Sequence, residues 1–163
     1  MPLVRISVHD TMPSSNRRAV ADAVYAAMRN TLGIPEGDRF IILSAHTQDE
    51  FYIDPSFMGV NRSDNFVLVH ATFRRGRSTE VKQAFYQETA HLLHLRASID
   101  PQDVMIVVSE NDIADWSFGR GEAQFLANPP VPSPPSTTHV SDSTSTPKPE
   151  PKIEPSPTPK SER

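Results

Sequence analysis

Two stretches of the chain, 65 residues apart, carry the same pattern. Residues 34–44 read IPEGDRFIILS and residues 99–109 read IDPQDVMIVVS, so isoleucine, aspartate, an apolar run and serine recur at one spacing. At the same offset, the Leu-Val pair at residues 3–4 falls on the Leu-Val pair at residues 68–69. Because so many positions agree at one offset, we interpret the chain as a duplicated unit rather than as two unrelated amphipathic segments.

The first copy is predicted to fold as strand, helix, strand. Residues 3–8 and 40–43 are the two apolar strand segments. Between them, Ser14 or Ser15 can cap a helix, and Gly33 can end it. The apolar positions of this helix recur every three or four residues, which predicts that they are buried: Val20, Ala23, Val24, Ala27, Met28 and Leu32.

The second copy is predicted to repeat this plan. Its strands are residues 66–73 and 104–108, and Ser78 caps the helix between them. The side chains expected to point inward from this helix are Val81, Ala84, Phe85, Leu92 and Leu95. Two tandem β-α-β units predict an α+β fold with a four-stranded sheet and two helices on one face. The other face then needs a cover, so we expect a homo-oligomer.

Composition divides the 163 residues into two parts. Residues 129–163 hold 11 of the 16 prolines and no aromatic residue, and we predict that this Pro/Ser/Thr-rich tail is disordered. Residues 1–128 then form one domain with one core. The formal net charge of -4 disfavours a nucleic-acid partner. No apolar run approaches the ~20 residues of a membrane helix, no secretory signal is recognisable, and cysteine is absent, so we expect a cytoplasmic protein.

The start of the chain is the first candidate for chemistry. Initiator methionine is normally removed before a small residue, which would leave Pro2 as a free secondary amine. Such an amine titrates nearer to neutrality than lysine does and can act as a general acid or base. Taken alone, a Met-Pro opening favours no function for Pro2, because such openings are common.

Charged residues in two turns are the next candidates. Arg74, Arg75 and Arg77 precede the helix capped by Ser78, where the helix dipole favours an anion. Guanidinium groups together with helix N–H groups form a carboxylate or phosphate site. Asp38 has a counterpart at the same position of the second copy, and spacing alone favours a turn-capping role for it.

The chain resembles the tautomerase superfamily, and within it the branch of malonate semialdehyde decarboxylase. The resemblance runs from Pro2 to about Phe125. It rests on the opening proline, on residues 38–40 (DRF), on residues 75–78 (RGRS) followed by Glu80, Lys82 and Phe85-Tyr86, and on residues 115–121 (DWSFGRG). Two features depart from the decarboxylase. The decarboxylase has a proline between its two arginines, where this chain has Gly76, and Arg74 is an additional cation to which the family gives no role.

The resemblance implies a homotrimer of β-α-β repeats with an active site at each N-terminal proline and with no cofactor. It implies that Pro2 is the general acid or base and that Arg75 and Arg77 hold the carboxylate of the substrate and polarise its carbonyl group. It also implies that Asp38 assists the proline and positions water. The apolar wall of the pocket would be Trp116, Phe118 and Phe125.

The protonation state of Pro2 decides between reactions. A neutral amine abstracts a proton next to a carbonyl group, which gives a tautomerase of small 2-oxo acids, the function we expect. A protonated amine suits decarboxylation of a 3-oxo acid or hydration of an activated acid, the alternative reading. A non-enzymatic alternative is a scaffold whose P-x-x-P segments, 129–132 and 132–135, bind an SH3- or WW-type partner.

No metal ligand is predicted. His91 and His94 follow Glu88 at a spacing near that of metal sites, but the surrounding leucines indicate a helix that packs against a core.

Overall fold

Four strands form one mixed sheet in the computed structural model, which describes residues 1–129. The strands are β1 (Pro2–His9), β2 (Ile41–His46), β3 (Val67–Arg74) and β4 (Val104–Asn111), in the order β2-β1-β3-β4. Each β-α-β unit contributes a parallel pair, β1 with β2 and β3 with β4, and the units meet where β1 and β3 pair antiparallel. The helices are α1 (Ser14–Leu32), α2 (Thr79–Ala97) and the short α3 (Gln124–Ala127).

The duplication is visible in the element boundaries. β3 begins and ends 65 residues after β1, and α2 begins and ends 65 residues after α1. Both helices end in a left-handed residue at equivalent positions, Gly33 at φ 63° and Ser98 at φ 55°. The predicted α+β fold of two tandem β-α-β units is therefore confirmed.

The core lies between one face of the sheet and the two helices. Alternate residues of β1, namely Val4, Ile6 and Val8, are buried on this face, and Phe73 and Phe85 are buried with them. All six residues predicted as the inner stripe of α1 are buried. At ~25 cal/mol per Å² of apolar surface removed from water, this burial is the main stabilisation of the fold.

The cap of α1 differs from the prediction. Ser14 is the first helical residue, the cap position is Pro13, and no side chain caps the helix. Proline at this position has an extended backbone, with φ -57° and ψ 147°, which leads into a helix without a side-chain acceptor. In α2 the prediction is confirmed, because Ser78 accepts a hydrogen bond from the backbone N–H of Val81.

The inner stripe of α2 also differs in part. Phe85 and Leu92 are buried as predicted, but Ala84 is exposed and Leu95 is 64% exposed. The buried stripe runs instead through Thr89, and at about 100° per residue Leu95 falls well outside it.

The sheet face opposite the helices carries exposed apolar side chains. On this face, Ile42, Met105 and Val107 are 43%, 44% and 39% exposed. The predicted tail lies, apart from Pro129, outside the described residues, as do its P-x-x-P segments. No helix in residues 1–129 is both long and apolar enough to cross a membrane.

Candidate functional site

Strand register brings three residues to one end of the sheet, on the face that the helices cover. Pro2 of β1 is opposite Phe73 of β3, and Phe73 is opposite Glu110 of β4. Residues opposite each other in a sheet point to the same face. The start of the chain therefore lies two strands away from Glu110, with the ring of Phe73 between them.

Asp38 lies beside the amino group of the chain. One carboxylate oxygen, Oδ2, is 3.4 Å from the Met1 amino nitrogen, and both side chains are largely buried, at 12% and 15% exposure. The other oxygen, Oδ1, is buried without a hydrogen-bond partner among the described residues. Removal of Met1 would make the nitrogen of Pro2, the next residue along the chain, the terminal amine.

The turn that carries Asp38 is held by α1. The backbone N–H of Gly37 donates to the hydroxyl of Tyr25 at 3.0 Å, and Arg39 forms an ion pair with Asp22 at 2.5 Å. The residues on both sides of Asp38 are thus held by contacts to the helix. The Asp38 side chain itself makes no hydrogen bond within the turn in the described part of the chain.

The turn-capping role predicted for both Asp38 and its repeat partner Asp103 is found at neither, because Asp103 instead binds a loop 40 residues earlier in the chain. Asp103 is 3% exposed and accepts hydrogen bonds from the backbone N–H and the hydroxyl of Ser63. The aspartate is common to both copies, but only the second has such a loop serine beside it. The first copy has the chain terminus there instead.

Arg77 is the cation that faces this end of the sheet. Its guanidinium carbon is 4.6 Å from the centroid of the Phe73 ring, and its Nη1 donates to the carbonyl oxygen of Arg74 at 3.1 Å. Burial lowers the pKa of Arg77, the charge of Arg74 lowers it further, and Glu110 and Asp38 raise it. The charges of both carboxylates act on Arg77, but neither forms an ion pair with it in residues 1–129.

Glu110 is held by a lysine of α2. Its Oε2 is 2.9 Å from the Nζ of Lys82, and the two side chains are 24% and 25% exposed. Its Oε1 is buried and has no hydrogen-bond partner among the described residues. Sequence reasoning did not identify this pair as part of the site. The sequence does contain a sign of it. Alternate residues of β4 face the core, and this alternation places Glu110 at the next core-facing position after Val108.

Arg75 lies apart from this group. Its side chain is 64% exposed, and its Nε is 3.7 Å from the carboxylate of Asp112. The structure therefore brings together Pro2, Asp38 and Arg77 of the predicted catalytic residues, while Arg75 points to solvent.

The three predicted wall residues form one aromatic cluster. Trp116 stacks on Phe118 with centroids 5.7 Å apart, and Phe118 meets Phe125 edge to face at 4.7 Å. The indole N–H of Trp116 donates to Asn111 at 2.8 Å, which anchors the cluster at the end of β4. No cluster of three potential metal ligands occurs in the described residues.

Comparison with known proteins gives three findings. A family model described as "Tautomerase enzyme" matches residues 38–119. The probable tautomerase YrdN of Bacillus subtilis (strain 168) is 34% identical over 126 residues, which cover 77% of this chain and 97% of that protein. Malonate semialdehyde decarboxylase, solved in wild-type, proline-to-alanine and inactivated forms, matches with a TM-score of 0.74 and 33% identity, over 79% of this chain and 99% of that one.

A more distant match concerns the fold alone. A symmetric trimer of a fused wild-type 4-OT matches with a TM-score of 0.64 at 19% identity, over 77% of this chain and 98% of that one.

Proposed function

Because the chain belongs to the tautomerase family, we propose that it catalyses keto–enol tautomerisation of small 2-oxo acids without a cofactor, with Pro2 as the general acid or base. The observation that supports this most directly is the grouping of a chain-terminal amine, a buried carboxylate and a half-buried guanidinium at one end of the sheet.

The proton transfer follows from this grouping. The neutral amine of mature Pro2 takes a proton from the carbon next to the substrate's carbonyl group, and the electron pair of that C–H bond moves to form an enolate. Arg77 binds the carboxylate and stabilises the charge on the enolate oxygen. The ammonium of Pro2 then returns the proton to that oxygen, which completes the enol and restores the neutral amine.

Arg75 and the aromatic cluster complete the proposed site. Arg75 is the second arginine of the pair and adds positive potential at the solvent edge, where Asp112 now holds it. Trp116, Phe118 and Phe125 form an apolar wall that keeps water from the enolate, which strengthens its interaction with the guanidinium.

Decarboxylation or hydration of a 3-oxo or activated acid is the second candidate. The position of Asp38 beside the amino group of Met1 supports it, because Pro2 becomes the adjacent terminal amine once Met1 is removed, and a nearby carboxylate stabilises a protonated amine. The protonated amine then polarises a carbonyl oxygen instead of removing a proton. The similarity to malonate semialdehyde decarboxylase supports this candidate as well.

A homotrimer is the proposed assembly. The exposed apolar side chains on the open sheet face, including Met105 and Val107, support an interface there. Light scattering on the full chain tests this assembly. We expect three copies per particle, and we expect Val107→Asp to give a lower mass at the same concentration. A monomeric wild type would contradict the proposal.

The decisive experiment compares rates on an enolisable aryl 2-oxo acid and on malonate semialdehyde across pH. Pro2→Ala should reduce the preferred reaction by at least about 100-fold, while Pro13→Ala, a proline far from the amine, should retain it. Mass spectrometry first checks that Met1 is removed. Retention of Met1 in an active enzyme, or full activity of Pro2→Ala in an intact oligomer, would contradict the proposal.

A further inference from the structure

The candidate site contains two carboxylates, and each is engaged by a cation other than Arg77. Asp38 is 3.4 Å from the amino group of Met1, whose removal leaves Pro2 as the adjacent terminal amine, and Glu110 is 2.9 Å from Lys82. The only side-chain hydrogen bond of Arg77 in residues 1–129 goes to a backbone carbonyl, through one of its nitrogens. The remaining guanidinium donors are thus available to a ligand.

Glu110 is placed by the strand register to compete for these donors. The register places it opposite Phe73, and the guanidinium of Arg77 lies over the ring of that same phenylalanine. Its Oε1 is buried and unpaired, and a buried carboxylate oxygen without a donor is costly. A bidentate ion pair between Glu110 and Arg77 would satisfy both groups and would occupy the position of a substrate carboxylate.

Lys82 opposes that rearrangement. It lies on α2, one turn after the Ser78 cap, and its backbone N–H donates to the carbonyl oxygen of Ser78 at 3.2 Å. From this fixed position its ammonium group binds Oε2 of Glu110 and leaves Oε1 free.

We propose that Lys82 holds Glu110 away from Arg77 and thereby keeps the guanidinium free to bind the carboxylate of the substrate. Lys82 and Glu110 are then positioning residues that set the affinity of the site for carboxylates. This inference rests on the proposed function, because it takes Arg77 as the carboxylate anchor.

The proposal predicts effects of opposite sign for the two halves of the pair. Lys82→Met releases Glu110, which then competes for Arg77, so a carboxylate should bind about tenfold more weakly. Glu110→Gln removes the competitor and frees a cation, so binding should be about threefold tighter. The double variant lacks both charges and should bind within about twofold of wild type.

The test measures the dissociation constant of benzoate, an unreactive monocarboxylate, by calorimetry on the full chain in its native oligomer. Glu88→Gln is the control matched to Glu110→Gln, because it also replaces a glutamate by glutamine. Glu88 lies on α2 and accepts a hydrogen bond from Asn30 rather than binding Lys82. This control should bind benzoate as wild type does. In turnover, Lys82→Met should raise KM and leave kcat within about twofold.

Three outcomes separate the explanations. If both single variants weaken binding and the double variant is weaker still, the pair is merely structural and the inference is wrong. If Arg77→Ala loses benzoate binding but Lys82→Met and Glu110→Gln match wild type, the inference fails and the proposed carboxylate anchor stands. If Arg77→Ala binds benzoate normally, the proposed function itself loses its anchor.

Discussion

The two arginines of the 75–78 turn should contribute very unequally to substrate binding. Arg77 is half-buried over Phe73 and has free donors, whereas Arg75 is 64% exposed beside Asp112. Sequence similarity assigns both to the substrate carboxylate, but their surroundings differ. We therefore expect Arg77→Ala to reduce the proposed turnover much more than Arg75→Ala.

The magnitude follows from the environment of each guanidinium. A hydrogen bond to a charged group is worth about 1.5–3 kcal/mol, so the loss of a two-pronged contact at Arg77, offset in part by water, should cost about 3 kcal/mol. That corresponds to roughly a 100-fold loss in kcat/KM. An exposed ion pair is worth about 0–1 kcal/mol, so Arg75→Ala should cost less than about fivefold.

The assay is steady-state turnover of an aryl 2-oxo acid, with the oligomer of each variant checked by light scattering. Arg77→Lys is the informative companion, because it retains the charge but loses the planar fork of donors. Its kcat/KM should lie between those of wild type and Arg77→Ala. If Arg75→Ala costs as much as Arg77→Ala, then Arg75 leaves Asp112 to bind substrate, and the reasoning from exposure is refuted.

Three further predictions concern the scaffold. Ser98→Gly should stabilise the fold by about 0.5–1 kcal/mol and Gly33→Ser should destabilise it by a similar amount, because the backbone is left-handed at both positions. Urea unfolding at fixed protein concentration measures both free energies, and a lower free energy of unfolding for Ser98→Gly would contradict this prediction. Asp103→Ala should cost about 2–4 kcal/mol in the same assay, because it leaves the backbone N–H of Ser63 without its acceptor, and a change below about 0.5 kcal/mol would count against it. Hydrogen bonds from backbone N–H groups hold the pKa of Asp54 below its usual range. The loop that carries Asp54 should therefore be stable above the unfolded-state pKa and should loosen as the pH falls through the folded-state pKa. Hydrogen exchange of this loop measures the effect, and Asp54→Asn should abolish its pH dependence.

Much of the fold could be predicted from the sequence because the duplication repeats it. One offset aligns both strand–helix pairs, so each copy supports the assignment of the other. The predictions were wrong where a preference of single residues, for capping or for burial, was overridden by the neighbouring backbone or by the position on the helix. Ser14 was an acceptable cap, but the extended backbone of Pro13 starts the helix one residue earlier than a serine cap would. Leu95 is apolar, yet its angular position on α2 excludes it from the stripe centred near Thr89.

The candidate site was predictable only in part, because its geometry depends on contacts between distant segments. The pairing of Lys82 with Glu110 joins α2 to β4, and no local spacing encodes it. The same limit applies to Asp38, whose neighbour is the amino group of a residue 37 positions earlier in the chain. Sequence similarity indicated a pair of arginines for the site, but not which of them would face inward.

The duplication also explains why one end of the sheet has the composition of a reactive site and the other does not. The position equivalent to Pro2 in the second copy is Val67, the first residue of β3. Its nitrogen belongs to a peptide bond and has no basicity, so a carboxylate beside it would have no amine to assist. The equivalent carboxylate, Asp103, is instead used to fix the loop at Ser63.

Two further charged groups of the site, Arg77 and Glu110, have apolar counterparts at the opposite end. The position 65 residues before Arg77 is Met12, which is 4% exposed within the core, and the position 65 residues before Glu110 is Ala45, opposite Val8 in the sheet. Of these two counterparts, only Met12 is part of the buried core, and neither carries a charge. The proposed catalysis by a chain-terminal amine therefore predicts one site per duplicated chain, so a homotrimer should bind three carboxylate ligands rather than six. A calorimetric stoichiometry of two benzoate molecules per chain would contradict this.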